Sequence, residues 1–365
     1  MNNKVSKIQI GMLLALIMAG YYLGMSDIIL LRKSMSEVII SMLLGSIIGL
    51  IPMFMYLKIN DTYPNLNIYE KCTKIFGKKI GLLINILMII SYSLIFTIAT
   101  RTIVSFTTSK YLENTPYIIV GLLVVISCFI ATFNGLETIL RLAQISFIIT
   151  IIIATIIEST VAGYIDINNI LPIFTSKHPI QNIIYGSLYF AATSSFLSVL
   201  LLSIKKSEIK DNKNYNKIAL SFYIYSVLAL TIVMFFVISC FGYKMSSLFR
   251  YPEYMILKKI GFSSAELHLE NLLAFRWIFY SLALTCMSLY GILTGISKYN
   301  NNQKVNKILA GIIAFISMLL GKLILGTVPN ALLIMKNYYI PYMAIPMFLI
   351  LSIIFVRCLF IKKES

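Results

Sequence analysis

The chain has only two histidines, His178 and His268, among its 365 residues. A histidine-based metal centre needs several imidazoles with thiolate or carboxylate companions, so that chemistry is set aside. The five cysteines, Cys72, Cys128, Cys240, Cys286 and Cys358, form no C-x-x-C pair, and four lie in apolar runs. They read as small core residues with no disulfide framework. No G-x-x-x-x-G-K-[ST] loop is present, which excludes ATP hydrolysis by that route. Charge is scarce as well: 12% of the residues are charged, with 31 Lys and Arg against 14 Asp and Glu. The net charge of +17 would suit nucleic acid if it were spread over a surface. Instead the cations concentrate in short segments between apolar spans, where they set membrane orientation, and no nucleic-acid partner is expected. Neither a metal, a cofactor nor an enzymatic activity is expected.

What the chain does have is apolar length. It is 59% hydrophobic with a mean hydropathy of +0.87, the composition of an all-α integral membrane protein embedded in a lipid bilayer. At about 20 apolar residues per span, ten transmembrane helices are predicted, over 8–31, 36–57, 79–108, 116–133, 138–158, 180–203, 216–241, 269–296, 305–325 and 338–360. The first run is too long for a signal-peptide core and lacks a small-x-small cleavage pattern, so it is expected to stay as the first span. An even count puts both termini on one side. That side carries nineteen of the 31 Lys and Arg, against nine on the other, so both termini are predicted cytoplasmic. The longest outer segment, 242–267, contains YPEYMILKKIGF. Met255, Ile256 and Ile260 fall on one side of a possible short interfacial helix, with Lys258 and Lys259 offset; an ordinary structured loop is the alternative.

Two spans have the wrong chemistry for plain lipid-facing helices. The sixth has Ala191-Ala192-Thr193-Ser194-Ser195 at its centre, and the first contains Ala19-Gly20-Tyr21-Tyr22-Leu23-Gly24. Small and hydroxyl-bearing residues give a helix little to pack into lipid, but they let other groups approach its backbone. With one weak point in span 1 and one in span 6, the chain divides into two halves of five within a single transmembrane domain, 1–365. Repeat one covers about 8–158 and repeat two about 180–360. Because five is odd, the halves run in opposite orientation. This is the inverted-repeat logic of secondary transporters, with discontinuous helices 1 and 6 around a midplane site.

Four segments carry a family resemblance: YPNLNIYEKCTKIFGKKIG (63–81), NGLETILRLAQISFIIT (134–150), INNILPIF (167–174) and YPEYMILKKIGF…LENLLAFRWIF (251–279). In order and spacing they resemble the spore germination receptor B subunits (GerAB-type), a family within the amino acid–polyamine–organocation transporter superfamily. The resemblance implies a leucine-transporter-like five-plus-five fold. It also implies the sensing of a nutrient germinant, with A-type and C-type receptor subunits as partners in the spore inner membrane. Two departures stand out. Relatives usually have a proline near the outer end of span 1, where this chain has Ile29-Leu30-Leu31-Arg32, and many have Gly-Glu after the span-6 break, where it has Ser195-Phe196.

An amino-acid ligand needs its carboxylate and ammonium satisfied in a low-dielectric site. A helix N-terminus exposed at a break supplies N–H donors for the carboxylate. Gly20 and Gly24 permit such an approach in span 1, with either Tyr21 or Tyr22 facing the site. Ala191 opens space in span 6, and Thr193, Ser194 and Ser195 add hydroxyls. Tyr92 of span 3 could donate to a carboxylate or, equally, serve as a core tyrosine bonded to a carbonyl. Ser281 of span 8 is a candidate contact for substrate or for a coupling ion, Na⁺ or H⁺. Asp27, Arg101, Arg276 and Lys322 are costly inside spans and are functional candidates on that ground. Asp27 and Arg101 could pair as an outer gate or a structural ion pair, while Arg276 and Lys322 could snorkel to the surface or draw an anionic germinant inward. The expected function is a germinant-sensing subunit. The alternatives are a working amino-acid or cation-coupled permease and a scaffold that binds no ligand.

Overall fold

The computed structural model describes residues 5–261 and 268–361. Lys4, Lys362 and Lys363, counted above towards orientation, and residues 262–267 lie outside them. Apart from a two-residue parallel pairing of β1 (Val5–Ser6) with β2 (Ile209–Lys210), the architecture is helical. Eight helices among the described residues are long and apolar enough to cross a membrane. The first continuous stretch, Lys7–Asp61, reverses at Met35, whose φ is 51°, and Tyr117–Phe133 is a further apolar helix of 17 residues.

Helix 1 comprises α1 (Lys7–Tyr21), a π turn (Tyr22–Ser26) and α2 (Asp27–Ser34). Its first turn is fixed by a capping box, in which Ser6 and Gln9 satisfy each other's backbone N–H groups. Helix 2 follows as α3 (Val38–Ile48) and α4 (Leu50–Asp61). The third is α5 (Ile68–Lys110), started by an Asn67/Glu70 capping box and bent at Gly77. Then come α6 (Tyr117–Phe133), α7 (Leu136–Ala162) and the sixth, α8 (Pro179–Ser194), which continues as a 3₁₀ segment over Ser195–Ser203. The remaining helices are α9 (Tyr215–Ser246), α10 (Pro252–Gly261), α11 (Leu269–Ser297), α12 (Gln303–Leu325), α13 (Val328–Tyr339) and α14 (Ile345–Leu359). The last two are joined by a π turn over Ile340–Ala344. The helical alternative for this outer segment is realised over Pro252–Gly261 as α10, which buries Ile256, Leu257 and Ile260 against the bundle and exposes Lys258 and Lys259.

Burial separates a centre from a lipid-facing rim. Of the most apolar stretches of helix 6 and of α11, 78% and 72% of residues lie inside the protein, whereas the other spans bury half or less. Helix 6 and α11 are therefore the core, and α1 packs against α11 and α9 beside them. Glycines at the contacts let backbones close up. A side chain at Gly20 would press into the Tyr280 carbonyl of α11, and one at Gly45 would meet the Ser187 carbonyl of α8. On the outer faces Ile47, Leu83, Leu123, Ile130, Leu323 and many similar residues stay exposed, as a bilayer requires of a span.

Candidate functional site

Both predicted breaks are present, and each has a local cause. In helix 1, Leu23 turns to ψ 140° and Gly24 takes φ +89°, a backbone that side chains with a Cβ rarely adopt. Ser26 Oγ donates to the Tyr21 carbonyl at 3.2 Å, satisfying an acceptor that the break frees. Helix 6 is ordinary α-helix through Ser194 and passes into a tighter 3₁₀ helix at the last residue of the predicted centre, from Ser195 to Ser203. Its carbonyls are held from outside: Tyr92 Oη donates to Val199 O at 2.9 Å and Tyr339 Oη to Ala192 O at 2.8 Å. Buried backbone acceptors need such partners, so phenols on α5 and α13 satisfy carbonyls on either side of the change from α to 3₁₀ helix.

The candidate residues fall into two groups. Gly20 and Ser281 line one small cavity together with Leu23, Thr102, Trp277 and Tyr280. The Trp277 indole N–H there has no hydrogen-bond partner among the described residues. The hydroxyls of span 6 are committed elsewhere. Thr193 Oγ1 donates to Tyr189 O at 2.8 Å and Ser194 Oγ to Phe190 O at 2.6 Å, both within their own helix. Ser195 Oγ lies 3.1 Å from Tyr223 Oη, towards α9 and helix 2, away from helix 1. Ala191 is buried in the wall. Tyr21 stacks at 5.7 Å on Tyr339 and donates to Met343 Sδ, while Tyr22 stands edge-on to Phe190 at 5.3 Å and donates to Met42 Sδ. Both tyrosines pack against neighbouring helices, and Tyr92 is the core tyrosine on a carbonyl.

The charged candidates rearrange the picture further. Asp27 and Arg101 form no ion pair; Arg101 donates to the Gly326 carbonyl and lies over the Tyr117 ring at 5.1 Å, while both Asp27 carboxylate oxygens are buried without a partner among the described residues. Arg276 does not snorkel. It is 6% exposed, donates from Nε to Tyr280 Oη at 2.8 Å, and its Nη1 lies 3.8 Å from Glu158 Oε1 of α7. Lys322 is exposed.

Arg276 sits where two cavities meet. One, of about 20 Å³, is bounded by Ala15, Ala19 and Leu23 of helix 1 and by Thr150, Tyr225 and Tyr280. The other, of about 40 Å³, also has Glu158 and Glu253 in its wall. Glu253, on α10, is 8% exposed, and burial pushes its carboxyl well above the usual carboxylate range, with nearby Asp27 adding to the rise. These spaces have room for a water molecule but are too small for an amino acid. Phe106, Trp277 and Tyr251 cluster with rings 4.6 to 5.4 Å apart, and the first two line the neighbouring Gly20 cavity. Glu158, Glu253 and Tyr339 escaped the sequence reading. Glu158 closes a predicted span, Glu253 lies in a loop motif, and only the fold brings either to Arg276.

Comparison with known proteins bears on the family and the fold. A family model described as "Spore germination protein" matches residues 4–323. The putative spore germination protein YfkT of Bacillus subtilis (strain 168) is 24% identical over 257 residues, which is 70% of this chain and 69% of that protein. Spore germination protein KB of the same organism is 24% identical over 185 residues, half of each chain. Spore germination protein YndE, also from that organism, is 32% identical over 135 residues, 37% of each. Among solved structures, a substrate-bound, outward-open Na⁺-coupled sialic acid symporter superposes with a TM-score of 0.60 over 97% of this chain and 79% of its own, at 13% identity. That likeness concerns fold alone: this is a leucine-transporter-like five-plus-five arrangement with helices 1 and 6 discontinuous.

Proposed function

This chain belongs to the spore germination protein family, and we propose that it is the membrane subunit of a nutrient germinant receptor. It senses a small nutrient, an amino acid, at a midplane site beside the helix-1 break, and A-type and C-type receptor subunits read its state. The observation that carries the reading is Arg276, buried between two cavities with Glu158 and Glu253 in the wall of one of them. A guanidinium offers fixed donors to a ligand carboxylate, and the acids offer acceptors to its ammonium. Gly20, Gly24 and Ser281 complete the site, with the unpartnered Trp277 indole as a further donor.

In this conformation the site is closed, so ligand entry requires helices 1 and 6 to move. A ligand that favours the opened arrangement shifts the population towards it, which is what a sensor needs. Excess Lys and Arg on the side of the chain ends supports a cytoplasmic position for both, and the family supports a place in the spore inner membrane. Two opposed repeats, about 8–158 and 180–360, supply the moving parts.

Shared fold with a Na⁺-coupled symporter favours one other reading, an amino-acid or cation-coupled permease that uses Na⁺ or H⁺. Uptake of labelled amino acids into proteoliposomes separates the two. The sensor binds amino acid without accumulating it; gradient-driven accumulation overturns the sensor.

A further inference from the structure

A cleft that opens to the surface lies away from the helix-1 break. It measures about 500 Å³ and opens between the ends of α5 and α12 and the turns that follow them. Three cations line it, Arg101, Arg250 and Lys322, with a single carboxylate, Glu113. None of the four is in an ion pair among the described residues. Three positive charges against one negative leave the cavity two charges in excess, in a wall partly shielded from water.

The cations are positioned rather than loose. Arg101 is 7% exposed, and its donation to the Gly326 carbonyl is possible because Gly326 takes φ +50°, turning that carbonyl towards α5. Arg250 donates to Ser105 Oγ at 2.7 Å and stacks over the Tyr251 ring at 4.6 Å. Two polar atoms in the wall remain unpartnered among the described residues, Arg101 Nε and Tyr117 Oη. A buried guanidinium nitrogen with no acceptor is costly, and an oxyanion in the cavity would satisfy it.

The geometry points to a second binding site here, for a small dianion: a ligand carrying a phosphate group or two carboxylates. Two guanidinium groups supply planar donors that match carboxylate and phosphate oxygens, Lys322 adds a mobile ammonium at the rim, and a dianion cancels the excess charge. The site shares no cavity with Arg276 and does not depend on the germinant reading. Its ligand could be a free anion or the headgroup of an anionic lipid, since both present the same oxygens.

The test uses the full chain in detergent, titrated with inorganic phosphate and with succinate against a chloride control. Native mass spectrometry of the chain from cardiolipin nanodiscs scores the lipid source. Arg250→Gln and Lys322→Gln lie towards the rim and are the working variants; Arg101→Lys keeps the buried charge but removes the fork. Phosphate or succinate should bind in preference to chloride, and Arg250→Gln should weaken that binding about tenfold or more. Retention of cardiolipin by the wild type, and its loss from both rim variants, with no binding of the soluble probes, assigns the site to a lipid headgroup and also supports it. Binding no tighter than chloride together with unselective cardiolipin retention overturns the site, as does affinity unchanged in both rim variants.

Discussion

Lys7 Nζ lies 2.7 Å from Asp211 Oδ2, joining the first residue of α1 to the strand end beyond helix 6. The same segment is tied twice more, by Lys205 to Glu70 at 3.2 Å and by Lys206 to Asp61, and β2 pairs with β1. The chain just after the 3₁₀ part of helix 6 is thus fastened to four elements, α1, α4, α5 and β1. Helix 6 cannot shift on this side without releasing the fastening, so the pairs work as a latch.

The latch predicts a local, not a global, effect of charge reversal. Lys7→Glu should speed amide hydrogen exchange across 204–211 while leaving exchange in α5 and α11 unchanged. Lys7→Glu combined with Asp211→Lys should restore protection. Equal exchange in all three proteins would show that the segment is held by its other contacts alone.

Tyr92→Phe and Tyr339→Phe each remove one donor from a buried carbonyl of helix 6 while keeping the ring. Each should destabilise the protein by roughly 1 kcal/mol, the scale of a hydrogen bond between membrane helices. Thermal unfolding in detergent measures this. Unchanged unfolding in both variants would mean that these phenols do not hold the break.

Gly20 and Gly163 make a contrasting pair. A side chain at Gly20 presses into the Tyr280 carbonyl, whereas one at Gly163 comes no nearer than 3.8 Å to any neighbour. Gly20→Val should cost on the order of 1–3 kcal/mol through overpacking, and Gly163→Ala should be neutral within about 0.5 kcal/mol. Both are read from unfolding midpoints.

Glu253 predicts a pH dependence. Its folded carboxyl titrates well above the ordinary carboxylate value, so between the two values the folded state binds the additional proton. Stability is then highest below the ordinary value and falls as pH rises through the window up to the raised one. Glu253→Gln should resemble the wild type near pH 4 and be the more stable protein near pH 8. An identical pH profile in both proteins would contradict the buried acid.

Much of the fold was legible because membrane helices announce themselves by apolar length, and the helix-1 break because Gly24 is the residue such a backbone needs. The helix-6 break was placed a few residues early. The 3₁₀ stretch runs through Phe196–Leu202, apolar but for Ser198, and Tyr92 reaches its Val199 carbonyl from a distant helix; nothing local to the segment records this. For the same reason the hydroxyls of Thr193 and Ser194 drew attention that their own helix had already claimed. Arg276 was visible as a charge in a span, but its burial and its acids were not, since Glu158 and Glu253 come from two other elements. The Asp27–Arg101 pair failed on the opposite ground: matching depth along two helices does not bring side chains together.

The central claim is that a nutrient is sensed at Arg276. The direct measurement is the germination dose-response of spores carrying Arg276→Gln, with the abundance of the protein in the spore membrane matched to wild type. The account predicts that the nutrient concentration for half-maximal germination rises about tenfold or more, the loss of one charge-assisted contact, with Arg276→Lys intermediate. An unchanged dose-response at equal abundance would contradict it.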